Sequence, residues 1–175
     1  MSDENILSMR RRDREITDFD EILDVLRRAD TIRLGLNGEP YPYVVPLSFG
    51  FEAQPQRNAH EDAASGRVSI FVHGAADGRK HELIARDNRV CVEAGIFHRY
   101  VKYGEGEGSS ITTEYESVIG YGYAEAVTGG EAARGMTLLL EHCGYPGFEY
   151  DMPAPEAMRM YKINLTRVTG KRRFV

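Results

Sequence analysis

Cysteine is almost missing from these 175 residues: Cys91 and Cys143 are the only two, and neither belongs to a Cys-x-x-Cys. Two scattered thiols frame no disulfide scaffold, and their natural setting is a reducing cytoplasm. Long apolar runs are missing too. Nothing approaches the ~20 residues a membrane helix needs, and no apolar run follows the basic residues near the N-terminus. Neither a membrane span nor a secretory signal is therefore expected. The third absence is an excess of positive charge. Lys and Arg number 22 against 27 Asp and Glu, a formal charge of -5. That balance denies the chain the basic field of a general nucleic-acid binder.

Familiar catalytic signatures are lacking as well. Five histidines and two cysteines contain no His-Glu-x-x-His and no paired Cys-x-x-Cys. His142 and Cys143 are neighbours, and a helix points neighbours roughly 100° apart, so they do not easily share an ion and no metal site is expected. Gly-x-Ser-x-Gly is absent, which removes the nucleophile elbow of a serine hydrolase. The glycines at 35 and 38, and those from 104 to 108, form no Gly-x-Gly-x-x-Gly at a strand–helix junction. A Rossmann dinucleotide site is not supported.

What is present reads as a single domain over residues 1–175. The hydrophobic share is 42% and the charged share 28%, values of a soluble globular protein. Residues 1–15 are polar, with three consecutive arginines at 10–12, and read as a mobile arm. Asp18 with Glu21 predicts a capping box ahead of Phe19, Ile22, Leu23 and Leu26 at helical spacing. Ile32, Leu34 and Leu36 alternate as a strand, and Asn37-Gly38 predicts a tight hairpin turn. In the next strand, Tyr41, Tyr43, Val45, Leu47, Phe49 and Phe51 share one parity. Pro40, Pro42 and Pro46 share the other, and prolines without N–H groups mark an irregular sheet edge.

Residues 52–66 read as a solvent loop, 68–73 and 89–95 as strands, and 104–108 as a flexible hairpin tip or lid. A long β-run over 111–127 contains Gly120 and Gly122, which mark a bulge or a close approach to a ligand. Residues 131–143 read as a helix with Ala132, Met136, Leu139, Leu140 and Cys143 on one side. A loop over 145–155 follows. Tyr161, Ile163 and Leu165 then alternate as a last strand before a basic tail at 171–173. About six strands and three helices, with strands supplied by hairpins, favour a mainly antiparallel barrel with peripheral helices.

The chemistry concentrates between residues 71 and 83. A strand ends at His73, a turn of small residues includes Gly74 and Gly78, and a helix opens with Arg79 and Lys80. Such a junction leaves backbone N–H groups free with positive charge beside them, which suits a phosphate or another anion. It is not a Walker loop, because Gly74 and Gly78 are only four apart and His81 follows the lysine. The same residues serve equally as an ordinary turn with a solvated Arg79–Lys80 pair. Neighbours diverge by roughly 100° in a helix, so only one of the two is expected to face an anion squarely. His73 either caps the turn or faces a ligand.

The segment His73-Gly-Ala-Ala-Asp-Gly-Arg-Lys80 resembles the His-x4-Gly-x-Lys segment of the Nim-type 5-nitroimidazole resistance proteins. These belong to the pyridoxamine 5′-phosphate oxidase-like family of flavin-binding split barrels. Three further pieces match in order: Val45-Pro-Leu-Ser-Phe49, Ser117-Val-Ile-Gly-Tyr-Gly122 and Thr169-Gly-Lys-Arg172. The resemblance implies a mainly β fold, an antiparallel split β-barrel of the FMN-binding type. It implies FMN, or else FAD, in a cleft at the interface of a homodimer. Carried over residue by residue, it sets the flavin ring against the backbone of Val45, Pro46, Leu47 and Ser48. It sets the phosphate at Gly78, Arg79 and Lys80, and adds Ser117 and Val118 to the cofactor site. His73 falls at the flavin pocket and is the one candidate catalytic residue.

Two functions follow from the resemblance. One is an FMN-dependent oxidoreductase that reduces nitro groups of small aromatic compounds such as 5-nitroimidazoles, with NADH or NADPH as a candidate donor. Few catalytic side chains are then needed, because the flavin carries the electrons. The other is a non-catalytic flavin or haem carrier, or a sensor, on the same barrel. The glycine-rich edge near residues 104–110 favours a substrate entrance and hence the enzyme. The lack of a clear general acid beyond His73 and the tyrosines favours the binder. Neither a nucleic-acid nor a membrane partner is expected.

Overall fold

Among the described residues the alternating segments fold into eight strands and three α-helices. The computed structural model describes residues 9–54, 67–106, 109–151 and 157–175. The strands are β1 (Glu15–Ile16), β2 (Ile32–Leu36), β3 (Tyr43–Leu47), β4 (Gly50–Gln54), β5 (Arg67–Ala75), β6 (Arg89–Tyr103), β7 (Ser110–Val127) and β8 (Met158–Arg173). The helices are α1 (Phe19–Arg28), α2 (Arg79–Arg86) and α3 (Gly129–His142). Every pairing is antiparallel. The spatial order is β3-β2-β6-β7-β8-β5-β4, with β1 added beside the end of β8. Among the described residues β3 and β4 do not pair with each other, so the barrel is open along one seam. This is the expected split barrel.

Two strands exceed the expected six. The single run anticipated over residues 41–51 breaks at Ser48 into β3 and β4, and β8 recruits the two residues of β1 from the N-terminal arm. Residues 1–8 of that arm lie outside the described residues. The tight Asn37-Gly38 turn does not form. β3 starts only at Tyr43, the link spans residues 37–42, and Gly38 has no positive φ. Pro40 and Pro42 lack the N–H groups that would have zipped the hairpin closed up to residue 38.

β6 runs on to Tyr103, well past residue 95, and β8 absorbs the basic tail as far as Arg173. Of the expected loop at 52–66, Glu52, Ala53 and Gln54 belong instead to β4, and residues 55–66 are outside the description. The glycine-rich tip between β6 and β7 does turn at Gly104 and Gly106, both at positive φ, while 107–108 are not described. Residues 145–151 carry no helix or strand, as expected for that loop, and 152–156 lie outside the description.

The barrel interior is filled by alternating residues of β2, β5, β6, β7 and β8, with Ile32, Leu34, Ile70, Val92, Val118 and Ile163 fully or almost fully buried. α1 closes one end through Ile22, Leu23, Val25 and Leu26. Each such side chain contributes about 1.5–3 kcal/mol on leaving water. The expected capping box is half formed. Asp18 accepts from the Asp20 and Glu21 amides at 2.8 and 3.4 Å, but the Glu21 carboxylate turns to Arg172 at 2.8 Å.

α3 lies against β4 and β5 over a second small core of Phe71, Ala132, Met136 and Met160. A Cβ on Gly50 would stand 2.3 Å from the Leu139 amide nitrogen, so the helix sits directly on backbone there. Cys143 falls just past the helix and is exposed, against the expected place on its apolar side. The close approach expected at Gly120 and Gly122 is between strands. A Cβ on Gly122 would meet the Asn164 carbonyl at 2.1 Å, beside a register shift of β7 against β8. Among the described residues no helix is long and apolar enough to cross a membrane.

Candidate functional site

The strand–turn–helix junction forms, but β5 runs past His73 to Ala75, so Gly74 is paired with Arg159 inside the strand and only Gly78 of the two glycines belongs to the turn. Gly78 stands at the helix N-cap with φ of +115°, and α2 begins at Arg79. That φ is one an L side chain rarely adopts, which is why a glycine occupies the entry. Gly78 has no side chain to cap with, so the first amides of α2 are left without a side-chain acceptor.

Arg79 and Lys80 diverge, as neighbours on a helix must. Arg79 is exposed; it donates to the Glu39 carbonyl at 2.9 Å and lies 3.5 Å from Glu82. Lys80 turns inward and keeps only 9% of its surface. Its ammonium donates to the His73 carbonyl at 3.3 Å, its one acceptor among the described residues. Gly74 makes the approach possible, since a Cβ there would stand 2.5 Å from the Lys80 Nζ. The lysine is therefore not the solvated residue of an ordinary surface turn.

Burial shapes the electrostatics of this corner. It holds the Lys80 ammonium below its usual range. It also lowers His73, with the Lys80 charge acting in the same direction, so His73 is a neutral imidazole at pH 7. The His73 Nδ1 is buried without a hydrogen-bond partner among the described residues. An underused ammonium, a helix start without a side-chain cap and an orphaned ring nitrogen all belong to the eight residues from His73 to Lys80. Such groups are costly unless something polar completes them.

Residue His81 completes the corner, and sequence reasoning did not single it out. It is buried, and its Nδ1 lies 2.9 Å from the Tyr161 hydroxyl of β8. Burial, then Lys80, lowers it, while a hydrogen bond to the Ala75 backbone opposes the shift. A signal for the inward turn of Lys80 was available. Lys80, Leu83 and Ile84 stand at i, i+3 and i+4, one face of a helix.

The remaining candidates divide. Val45 and Leu47 pack on the barrel core, while Pro46 and Ser48 are exposed on β3 and at its end. β3 is an edge strand, as its prolines predict. Val118 is a core residue at 2% exposure and offers only its backbone; Ser117 is half-buried on the outer face. From β3 to β7 the sheet passes through β2 and β6, three spacings and so roughly 14 Å. One chain therefore gathers His73, Gly78, Arg79 and Lys80 at one corner. It leaves Ser117 apart from Pro46 and Ser48.

Between those strands the outer face holds a shallow trough of about 410 Å³, floored by Gly35 and Cys91 and walled by Val44 and Tyr121. It runs into a polar hollow of about 620 Å³ at Asn37, Arg86, Asp87 and Arg89. Burial and then Glu93 push the Cys91 thiol up, so it is protonated and unreactive at pH 7. Among the described residues no cluster of His, Cys, Asp and Glu could hold a metal ion.

Over residues 18–172 the chain matches the family described as pyridoxamine 5'-phosphate oxidase. The chain belongs to the pyridoxamine 5'-phosphate oxidase family. Among solved structures, this family member is similar to a proposed 5-nitroimidazole antibiotic resistance protein from Bacteroides thetaiotaomicron. The two are 25% identical with a TM-score of 0.71, covering 90% of this chain and 85% of that one. It also resembles the flavocytochrome Anf3 from Azotobacter vinelandii, at 16% identity and a TM-score of 0.73 over 99% of this chain and 75% of that one. The FAD and haem binding protein from Mycobacterium smegmatis is similar at 17% identity and a TM-score of 0.67, covering 91% and 73%. At those lower identities the likeness is one of fold. No curated protein matches the chain.

Proposed function

We propose that this protein binds FMN and acts as a flavin-dependent oxidoreductase on small aromatic compounds, with nitro groups such as those of 5-nitroimidazoles as its substrates. The observation that carries the reading is the buried Lys80 ammonium. It has one long hydrogen bond and lies beside an uncapped helix start and the unpartnered His73 Nδ1. The residues fit a phosphate-bearing cofactor. Lys80 and the first amides of α2 hold the phosphate, and Gly74 admits the lysine. Arg79 adds charge from the exposed side.

The backbone over residues 45–48, on an edge strand, offers carbonyl and N–H groups to the ring. A bound flavin supplies the electron transfer itself. His73 stays neutral and orients ring or substrate through its free nitrogen. FAD would use the same phosphate contacts. The separation of Ser117 from β3 supports a homodimer, in which a second copy brings its own outer face against the open edge. Stable interfaces of this kind bury upward of ~1,200 Å² in total.

The test is identification of the heat-released cofactor by mass, followed by anaerobic reduction with NADH or NADPH and reoxidation by a nitroimidazole. Bleaching of the flavin bands and their return on adding the nitro compound is the expected result. A haem spectrum in place of flavin moves the protein to the carrier reading, which the flavocytochrome likeness favours. Flavin that neither donor reduces makes it a binder or sensor. Light scattering that finds only a 19.7 kDa species at micromolar concentration counts decisively against the dimer.

A further inference from the structure

Three consecutive residues tie the start of α2 to three different parts of the barrel. Arg79 reaches the Glu39 carbonyl in the β2–β3 link at 2.9 Å, and Lys80 reaches the His73 carbonyl of β5 at 3.3 Å. His81 reaches the Tyr161 hydroxyl of β8 at 2.9 Å. Only the last tie joins two side chains inside the core. His81 is 6% and Tyr161 3% exposed, and their rings stack with centroids 5.5 Å apart at 20°. Gly78 contributes no cap of its own, so the entry angle of α2 is held from outside the helix.

We propose that Tyr161 is a positioning residue for the anion cradle: through His81 its hydroxyl sets the rotation of the first turn of α2. The assignment rests on the phosphate reading above. His81 follows Lys80 directly in the same turn, so the point that anchors the imidazole also fixes where the Lys80 stem leaves the helix. It fixes the direction of the Arg79 and Lys80 amides in the same way. Charge-assisted hydrogen bonds are short and geometrically demanding, so a small rotation weakens every contact to an anion at once. For packing alone a phenylalanine would fill the site. A hydroxyl is tolerated in this core because it is hydrogen-bonded to the His81 ring.

Tyr161→Phe removes the hydroxyl and keeps the ring. Titrated by quenching of flavin fluorescence, the variant should bind FMN roughly threefold to tenfold more weakly, the worth of one lost hydrogen bond passed to the cradle. Riboflavin, which lacks the phosphate, should bind as before, so the preference for FMN narrows. A purely structural role would lower both affinities alike. Should the single variant fail to fold, the double variant His81→Phe/Tyr161→Phe removes both polar partners and keeps the packing. It should show the same narrowing. A folded variant that retains the wild-type preference, or that loses both ligands equally, overturns the assignment and leaves the cradle standing. A wild-type protein that binds riboflavin as tightly as FMN overturns the cradle, and the assignment with it.

Discussion

Replacing Lys80 with methionine should move stability and cofactor affinity in opposite directions. The lysine stem is already buried, so a methionine of similar length loses little packing. The ammonium is the costly part. It carries three donors, and one is bonded, at 3.3 Å, to the His73 carbonyl. A buried donor left unsatisfied costs ~1–3 kcal/mol, so removing the charged group should stabilise the ligand-free protein by about 1–2 kcal/mol. At this chain length that raises the melting temperature by roughly 2–8 °C.

FMN should bind tenfold to a hundredfold more weakly, from the loss of a charge-assisted hydrogen bond of ~1.5–3 kcal/mol. Riboflavin affinity should hardly change. The pH dependence has a definite sign. Burial lowers the Lys80 pKa from 10.5, so the folded state holds this proton less tightly than the unfolded state. The penalty is present at neutral pH and fades as pH rises toward 10.5. The gap between variant and wild type in denaturant unfolding should close over that alkaline window. A variant that is less stable than wild type yet keeps its preference for FMN would refute the reasoning, because Lys80 would then be a structural tie.

Glu116 accepts from Arg28 at 2.7 Å and from His98 at 3.0 Å, with only 6% of its side chain exposed. Hydrogen bonding from Arg28 holds it below 4.5, so its contribution is present above that value and is lost as pH falls through the folded pKa. Glu116→Gln should cost ~1.5–3 kcal/mol near neutrality and flatten the acid limb of stability against pH; an unaltered limb would contradict this. Gly50→Ala should force α3 away from β4, where backbone atoms of Leu138 and Leu139 stand 2.3–2.7 Å from the added carbon. The expected loss is about 1–3 kcal/mol, seen as a melting temperature lower by roughly 2–4 °C per kcal/mol, and an unchanged melt would show that the helix shifts freely.

Much of this fold was legible in residue order. Alternation in β2, the helical spacing of Ile22, Leu23 and Leu26, and the run of β7 each report a local burial period that needs no partner to be read. Prolines placed β3 at an edge because a missing N–H is a property of the residue itself. The junction of His73, Gly78, Arg79 and Lys80 was readable for the same reason: glycine and a helix start are local features. Where local cues competed with long-range pairing, they lost. Asn37-Gly38 did not turn, because Pro40 and Pro42 kept the strands apart up to Tyr43. The basic residues 171–173 joined β8 because β1 and β7 supply partners from distant segments.

Only the tertiary structure decided what Lys80 is. Its helical face pointed inward, but the depth of burial depends on Gly74, which pairs with Arg159 in the β5–β8 register, and on the tie between His81 and Tyr161, eighty residues apart. Desolvation is a sum over everything that surrounds a group. A charge can therefore be recognised in the sequence, whereas its cost, and the ligand that would relieve it, emerge only when distant strands close around it.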